Sequence, residues 1–363
     1  MNSSPTMLAL VTDAFGGRGG IAQYNRDFLG ALADSRAVSS ITILPRHAPD
    51  HPSMPKTIEQ KMARPGRIAY SVAALRTALF RPIDLVFCGH LFMAPLAALI
   101  TRLKGAKLIV QTHGVEAWPR PSRLQRAALE AADLVLCVSR YTRAAVLSWA
   151  AIAPERALVV GDTVGEAFTP GDGSTQRAAL ELEDKRVLLT VGRMDSRERY
   201  KGHELVIAAI TGLVAKGHDI CYLVVGEGDD RSRLEALARD AGVRERVRFL
   251  GLLGLQSLVE TYRMADLFVM PSTGEGFGVA FLEAMASGTP ALGLEVAGAK
   301  DALADGHLGT TISEAEFAIT VARLLAAPKP DPHALAATVH ARFGRETFVA
   351  GASAAFDRLM QAN

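Results

Sequence analysis

Short apolar runs alternate with longer amphipathic stretches along most of the chain. Each run has the length and composition of a strand buried on both faces of a parallel sheet. We predict strands at residues 8–12, 40–44, 85–88, 107–111, 134–138, 187–191, 220–225, 247–250 and 267–270. The intervening stretches predict helices at residues 21–32, 92–103, 205–215 and 231–241. This alternation indicates parallel βαβ units and therefore an α/β, doubly wound fold.

A stretch rich in Pro, Gly and Asp, residues 161–173, separates two such series. A chain of 363 residues is also long for a single hydrophobic core. We therefore predict two Rossmann-like, doubly wound parallel-sheet domains, at residues 1–165 and 166–345. A last helix, residues 346–363, is predicted to follow them.

The nearly balanced charge of the whole chain, 40 Lys and Arg against 38 Asp and Glu, conceals an asymmetry. Residues 1–150 contain 18 basic and 9 acidic side chains, so the first half is basic. A basic half attracts anionic lipid or nucleic acid, or is simply a solvated face. Cys88, Cys137 and Cys221 lie in apolar runs, which favours buried thiols in a reducing compartment, the cytoplasm. No Cys/His spacing is typical of a metal site.

The segment 56–81 concentrates this basic character. It contains six Lys and Arg, with Glu59 as its one acidic residue, and apolar and aromatic residues are interleaved. Such a segment can lie in a bilayer interface, held by apolar burial and by attraction to anionic lipid. A core helix with a solvated basic face is the alternative. The first interpretation predicts a peripheral protein on the inner face of the cell membrane, with no nucleic-acid partner.

The segment after the strand at 267–270 is the most informative for function. Gly276 and Gly278 lie where a loop turns into a helix, with Glu275 just before it and Glu283 about two turns in. The free amides of Phe277, Gly278 and Val279 suit a phosphate, because helix N-termini have unpaired N–H groups and partial positive charge. Apolar residues surround Glu283, which is unusual for the alternative, an ordinary amphipathic helix with surface glutamates.

Two basic residues follow the strand at 187–191. Arg193 comes directly after it, and Lys201 precedes the next helix. Two fixed cations can bind a phosphate-containing ligand and stabilise negative charge that grows on it during a reaction. Plain surface charge is the alternative. The glycine-rich site at residues 275–283 favours the catalytic interpretation.

The loop after the first strand contains Gly17 in a Gly-x-Gly-x-x-Ala pattern, residues 17–22, that loosely fits a dinucleotide-binding fingerprint. That fingerprint requires an acidic residue at the end of the second strand, where this chain has Arg46. Arg46 suits a 2′-phosphate, so an NADP enzyme is an alternative. The NADP alternative gives no role to two glutamates and two cations, which are Glu275, Glu283, Arg193 and Lys201. We therefore predict no cofactor.

Three motifs together resemble those of the retaining glycosyltransferases of family 4, which have the GT-B fold. They are Glu275-x7-Glu283, Gly192-Arg193 with Lys201-Gly202, and His113-Gly114-Val115-Glu116. The resemblance implies transfer of a hexose-type sugar from a nucleoside-diphosphate sugar to a hydroxyl of a glycan or lipid-linked acceptor, in polysaccharide or glycolipid biosynthesis. A GT-B nucleotide-sugar epimerase or phosphorylase, and a non-catalytic sugar-binding GT-B protein, are the alternatives.

The resemblance also implies roles for single residues. Arg193 and Lys201 would grip the diphosphate without a metal ion, Glu275 would face the transferred sugar, and Glu283 would lie beside the ribose. His113 would line the sugar pocket. Gly17 would let backbone approach the donor phosphate and the acceptor, and the last helix would pack on the first domain. Relatives often have Asn-Gly-Val-Asp at the linker, where this chain has residues 161–166 with a different sequence.

Overall fold

The computed structural model describes residues 4–48 and 54–361, which form two parallel sheets. The strands of the first sheet are β1 Thr6–Val11, β2 Ser40–Pro45, β3 Ile58–Gln60, β4 Leu85–Cys88, β5 Lys107–Thr112, β6 Leu134–Cys137 and β7 Ala157–Val159. Those of the second are β8 Arg186–Val191, β9 Ile220–Val225, β10 Val247–Gly251, β11 Leu267–Met270, β12 Ala291–Leu294 and β13 Thr310–Ile312.

Helices connect the strands in both sheets. In the first half they are α1 Gly20–Asp34, α2 Arg67–Phe80, α3 Ala94–Lys104, α4 Arg123–Glu130 and α5 Arg140–Trp149. In the second half they are α6 Ser174–Ala179, α7 His203–Ala215, α8 Arg231–Asp240, α9 Leu255–Met264, α10 Val279–Ala286, α11 Ala299–Ala302, α12 Phe317–Ala326, α13 Pro332–Phe343 and α14 Arg345–Gln361.

All strand pairs are parallel, in the orders β3-β2-β1-β4-β5-β6-β7 and β10-β9-β8-β11-β12-β13. The strand order reverses between β1 and β4 in the first sheet, and between β8 and β11 in the second. Open α/β sheets bind ligands beyond the carboxyl ends of their strands at such reversal points. We therefore expect the ligand-binding site of the second sheet in the two loops that follow β8 and β11.

Nearest-neighbour contacts divide the chain into two units. Of the described residues, the first contains those from 4 to 163 together with 346–361, and the second contains residues 164–345. Most of α14 therefore belongs to the first unit, where the Phe348 ring packs edge-on against Tyr24 at 5.8 Å between centroids. Lys107 Nζ also donates to the carbonyl of Leu359, at 2.7 Å.

The cores follow from the buried strands. Alternate residues of β1, β4, β5 and β6 pack against α3 in the first unit, and β8, β9 and β11 pack against α7 in the second. Cys88, Cys137 and Cys221 are buried free thiols, as predicted. Burial raises the pKa of the Cys88 thiol to about 12, so this group behaves as a small apolar residue.

The segment 56–81 does not form one helix. It contains β3 and α2, with a loop between them. Tyr70, Ala74 and Ala78 bury one face of α2, whereas Ile68 and Phe80 are exposed. Two of the six basic residues, Lys61 and Arg81, pair with Glu59. The other four, Lys56, Arg64, Arg67 and Arg76, are exposed.

Candidate active site

The loops after β8 and β11 meet at the reversal point of the second sheet. Thr273 N–H donates to the carbonyl of Tyr200 at 2.9 Å, which joins the two loops. A Cβ added at Gly202 would lie 2.3 Å from the carbonyl oxygen of Pro271, and one at Gly274 would lie 2.8 Å from the Tyr200 ring. The two glycines therefore allow a backbone approach that no larger residue permits.

This approach brings Lys201 and Glu275 into contact. Lys201 Nζ lies 2.7 Å from Glu275 Oε1, in a charge-assisted hydrogen bond. The side chains are only 17% and 8% exposed, so the pair is largely shielded from water. Two predicted site residues that are 74 positions apart thus form one ion pair, and Lys201 keeps two further N–H donors for a ligand.

Arg193 has a different environment from Lys201. It follows β8, its guanidinium pairs with Glu198, and its side chain is 71% exposed. The neighbouring Arg197 pairs with Asp195 and is still more exposed. Arg193 is thus a solvent-accessible cation on the same loop as the shielded Lys201.

The start of α10 presents backbone donors beside the ion pair. In the described part of the chain, the N–H groups of Phe277, Gly278 and Val279 have no protein acceptor. Gly278 has φ +106° and ψ 58°, a left-handed conformation that favours glycine, and α10 begins at the next residue. A helix N-terminus with unpaired amides favours an anion.

The turn before α10 is held from behind by Gly298. Its N–H donates to the carbonyl of Glu275 at 2.9 Å. A Cβ added at Gly298 would lie 2.0 Å from the carbonyl oxygen of Gly276, so this packing requires glycine. Phe277 is buried, and its ring packs edge-on against Phe343 at 5.8 Å between centroids.

Glu283 lies just over one turn into α10, nearer the helix start than the predicted two turns, because Gly278 delays the helix to Val279. Its flanking residues on α10 are buried and apolar, as predicted, while Glu283 itself is partly exposed. Burial raises the pKa of its carboxyl to about 7, and a hydrogen bond from Tyr262 opposes this rise.

In the first unit, His113 follows β5 and its ring is held in place. Its Nε2 lies 2.9 Å from the carbonyl of Gly89, its backbone N–H donates to Glu116, and Tyr24 packs edge-on at 5.4 Å between centroids. Burial lowers the pKa of His113 to about 4, so the imidazole is neutral at physiological pH. The Gly89 carbonyl can only accept, so Nε2 carries the proton of the neutral ring, and Nδ1 can only accept a hydrogen bond, for example from a sugar hydroxyl.

Gly17 lies in the loop between β1 and α1. A Cβ there would lie 2.0 Å from a carboxylate oxygen of Asp13, so a larger residue would have to displace that side chain. The N–H of Gly17 donates to the carbonyl of Ala14 at 3.1 Å. The Gly17 amide is therefore used within the turn, and the Asp13 carboxylate occupies the space beside the Gly17 Cα.

Within residues 4–48 and 54–361, no group of three or more His, Cys, Asp or Glu is arranged to hold a metal ion. In the same residues no helix has the length and apolar character to cross a membrane.

Family comparisons agree with this geometry. A family model described as Glycosyl transferases group 1 matches residues 172–339, and one described as Glycosyltransferase Family 4 matches residues 18–164. The GDP-mannose-dependent alpha-(1-6)-phosphatidylinositol monomannoside mannosyltransferase of Mycolicibacterium smegmatis is 31% identical over 360 residues, covering 89% of this chain and 90% of the relative. The chain belongs to glycosyltransferase family 4. The predicted family and the glycosyltransferase activity are thereby confirmed.

Two further relatives extend the comparison. D-inositol 3-phosphate glycosyltransferase 1 of Catenulispora acidiphila is 30% identical over 303 residues, covering 76% of this chain and 71% of the relative. The crystal structure of HepE from Anabaena, in complex with UDP and glucose, superposes with a TM-score of 0.79 at 17% identity, covering 97% of this chain and 99% of that one. The predicted GT-B fold, with two Rossmann-like parallel-sheet domains, is confirmed.

Sequence reasoning missed three residues that shape the site of this glycosyltransferase. Glu198 pairs with Arg193, Tyr262 donates to Glu283, and Gly298 packs on the turn before α10. The partners of Tyr262 and Gly298 are 21 and 22 positions away along the chain, and no local pattern marks such contacts. Glu198 was detectable only as an acidic residue within the loop that contains Arg193.

Proposed function

We propose that this protein is a retaining glycosyltransferase that moves a hexose from a nucleoside-diphosphate sugar to a hydroxyl of a glycan or lipid-linked acceptor. The observation that supports this most directly is a cluster of binding groups at the reversal point of the second sheet, between β8 and β11. There a shielded Lys201–Glu275 pair adjoins the unpaired amides at the start of α10. A diphosphate is bound by a cation and by backbone donors, and the hydroxyls of the attached sugar are bound by a carboxylate.

In the proposed reaction each group has a separate task. The diphosphate rests on the amides of residues 277–279, with Lys201 and Arg193 facing its oxygens. Lys201 can hold Glu275 and a phosphate oxygen together, because an ammonium has three donors. Glu275 accepts hydrogen bonds from the transferred sugar, and Glu283 accepts them from the ribose.

The bond changes balance without a protein nucleophile. The acceptor oxygen forms a bond to the anomeric carbon on the face from which the diphosphate departs, and the acceptor proton goes to the departing phosphate. The leaving group gains negative charge as the bond breaks, so the two cations stabilise the transition state more than the ground state. We propose that this charge makes a metal ion unnecessary.

The relatives indicate which substrates to examine first. The Mycolicibacterium relative is named as GDP-mannose-dependent and acts on a phosphatidylinositol mannoside, and the HepE structure contains UDP. We propose a role in glycolipid or polysaccharide biosynthesis, with GDP-mannose as the first donor to test and UDP-glucose as the second.

A screen of sugar nucleotides tests the proposal. Ligands that bind the native state raise its melting temperature, so the true donor should give the largest increase. Transfer is then assayed in excess chelator, with product analysis for the anomeric configuration. Conversion of the donor without an acceptor would indicate an epimerase, and a requirement for inorganic phosphate would indicate a phosphorylase. Loss of activity in chelator, restored by Mg²⁺, would contradict metal independence.

Donor affinity is expected to fall as the pH decreases through about 7. The pKa of Glu283, raised by burial to about 7, sets this window, because only the ionised carboxylate is a full acceptor for ribose hydroxyls. The decrease should approach tenfold per pH unit below the window, the limit for one proton. His113, with a pKa near 4, stays neutral throughout.

Calorimetry with an intact sugar nucleotide measures this dependence, because both of its phosphates are esterified and do not titrate near neutrality. Glu283→Gln is the matched control, and its affinity should be lower and nearly independent of pH. A wild-type affinity that is constant from pH 6 to 8 would contradict the assigned role of Glu283.

We also propose that the segment 56–81 contacts anionic membranes. Ile68, Val72, Leu79 and Phe80 are exposed on α2, which is unusual for such large apolar side chains on one helix. Arg64, Arg67 and Arg76 are exposed as well, and in the described part of the chain no acidic side chain pairs with them. Apolar burial and attraction to anionic lipid would act together there.

Cosedimentation with vesicles is expected to increase with anionic lipid content and to decrease as salt screens the charges. Reversal of Arg64, Arg67 and Arg76 to glutamate should abolish binding. Reversal of Lys216, Arg239 and Arg323, three exposed residues of the second unit, changes the net charge equally and should not. Equal loss of binding in both triple variants would show that net charge alone is responsible, and the segment would then be an ordinary surface.

A further inference from the structure

Tyr262 is a buried tyrosine whose hydroxyl bonds to the side chain of Glu283. It lies on α9 and is 0% exposed. Its hydroxyl donates to Glu283 Oε2 at 2.8 Å. A buried tyrosine hydroxyl needs a polar partner, and here that partner is a residue of the candidate site. Nothing in the proposed reaction yet uses this contact.

The Tyr262 ring is fixed on several sides. Phe168 packs edge-on against it and Phe268 packs tilted, each at 5.8 Å between centroids. Thr289 Oγ1, just beyond the end of α10, donates to the carbonyl of Tyr262 at 2.6 Å. The hydroxyl is therefore held at one point relative to α10, and it cannot follow the Glu283 carboxylate if that group rotates.

The contact leaves one carboxylate oxygen for a ligand. Tyr262 occupies Oε2, and in the described part of the chain no protein group donates to Oε1 of Glu283. A donor on one oxygen fixes the plane of the carboxylate and hence the direction of the other. The same hydrogen bond favours the ionised form of Glu283 and opposes the effect of burial.

We propose that Tyr262 is a positioning residue that holds the Glu283 carboxylate in one orientation for the ribose hydroxyls of the donor. The inference rests on the proposed role of Glu283 and assigns the residue on which that role depends. Tyr262 itself touches neither the donor nor the reacting atoms. It should therefore act on donor affinity and leave the chemical step largely unchanged.

A double-mutant cycle with Tyr262→Phe and Glu283→Gln tests this. The affinity of GDP and of UDP is measured by calorimetry for the wild type, both single variants and the double variant. Tyr262→Phe should weaken binding of the preferred nucleotide about tenfold, as expected for loss of one hydrogen bond to a charged group. In the Glu283→Gln background the same change should cost less than about twofold, because the positioned carboxylate is already absent.

Kinetics and a matched tyrosine control complete the test. Tyr262→Phe should raise KM for the sugar nucleotide about tenfold while kcat changes by less than about twofold, which is the signature of lost ground-state binding. Tyr70→Phe removes another buried tyrosine hydroxyl, which donates to the carbonyl of Leu44 at 2.8 Å in the first unit, and should leave nucleotide affinity within about twofold. Thermal unfolding shows that each variant is folded before its affinity is measured.

The outcomes separate this inference from the proposed function. If Tyr262→Phe weakens binding equally in both backgrounds, or leaves it unchanged, Tyr262 does not act through Glu283 and the inference is wrong while the function stands. If the wild-type protein binds neither GDP nor UDP, and no sugar nucleotide in the screen raises its melting temperature, the proposed function fails and the inference fails with it.

Discussion

Lys201→Ala is expected to reduce turnover about a hundredfold or more and to destabilise the second unit, whereas Arg193→Ala is expected to reduce turnover alone. In the proposed reaction both substitutions remove a cation that faces the leaving diphosphate, and the loss of one preorganised group of this kind costs about 10²–10³ in rate. The two residues differ in their surroundings, and this difference separates their effects on folding.

The difference in stability follows from burial. Lys201→Ala leaves the Glu275 carboxylate, whose side chain is 8% exposed, without its ion-pair partner. Removal of one member of a shielded pair costs about 3 kcal/mol, because the remaining charge stays desolvated. Arg193 is 71% exposed, so solvent replaces its contact with Glu198 at little cost. The ion pair in the structure therefore assigns the larger loss of stability to Lys201→Ala.

Urea unfolding and steady-state kinetics measure the two effects separately. The double variant Lys201→Ala with Glu275→Gln should recover part of the lost stability, since a neutral amide is less costly to bury than an unpaired carboxylate, but it should recover no turnover. Arg197→Ala is the matched control on the same loop, because Arg197 is exposed and paired only with Asp195. Near-wild-type turnover of either single variant would refute the role of that cation.

The sequence predicted the strands better than the contacts between them. The strands at 85–88, 220–225 and 267–270 have the predicted bounds, because each apolar run is preceded by Asp and followed by Gly or Pro. The three-residue strands β3, β7 and β13 were missed, since such short strands contain too few positions for a pattern. These three lie at the edges of the sheets, where pairing on one side suffices. The internal strand β12, with the sequence Ala-Leu-Gly-Leu, was also missed, because it contains no β-branched residue.

The sequence predicted which residues belong to the candidate site, but not which of them contact one another. The motifs placed Arg193, Lys201 and Glu275 near one another, because parallel strands end at the same edge of a sheet. That Lys201 pairs with Glu275 while Arg193 pairs with Glu198 depends on how two loops pack. Such packing is determined by tertiary contacts, including the glycines that allow close backbone approach, and hydrophobic periodicity does not encode it.

Substitution of Gly226 or Gly228 tests whether close backbone approach fixes the position of Arg193. Both glycines lie in the turn after β9, and the Glu227 carbonyl between them accepts the N–H of Met194 at 3.0 Å. A Cβ at Gly226 would lie 2.0 Å from the carbonyl oxygen of Gly192, and one at Gly228 would lie 2.0 Å from that of Met194. Both positions therefore press on the backbone that contains Arg193. Gly226 also has φ +136°, where an alanine is strained.

Gly226→Ala and Gly228→Ala are each expected to displace this backbone. The cost in unfolding free energy should be about 3 kcal/mol, the upper part of the usual range for overpacking. Turnover should fall about a hundredfold, because a displacement of about 1 Å in a positioning group has an effect of that size. Denaturant unfolding gives the first quantity, and kinetics at a temperature where the variants remain folded give the second.

Gly212→Ala is the control for substitution of glycine itself. Gly212 lies within α7, and an added Cβ has no atom within 4 Å. Alanine there should raise the unfolding free energy by roughly 0.5–1 kcal/mol, because glycine loses more backbone entropy in a helix, and turnover should not change. If Gly226→Ala and Gly228→Ala behaved like Gly212→Ala, the turn after β9 would be free to move. The position of Arg193 would then have to be fixed by its own loop and by Glu198 alone.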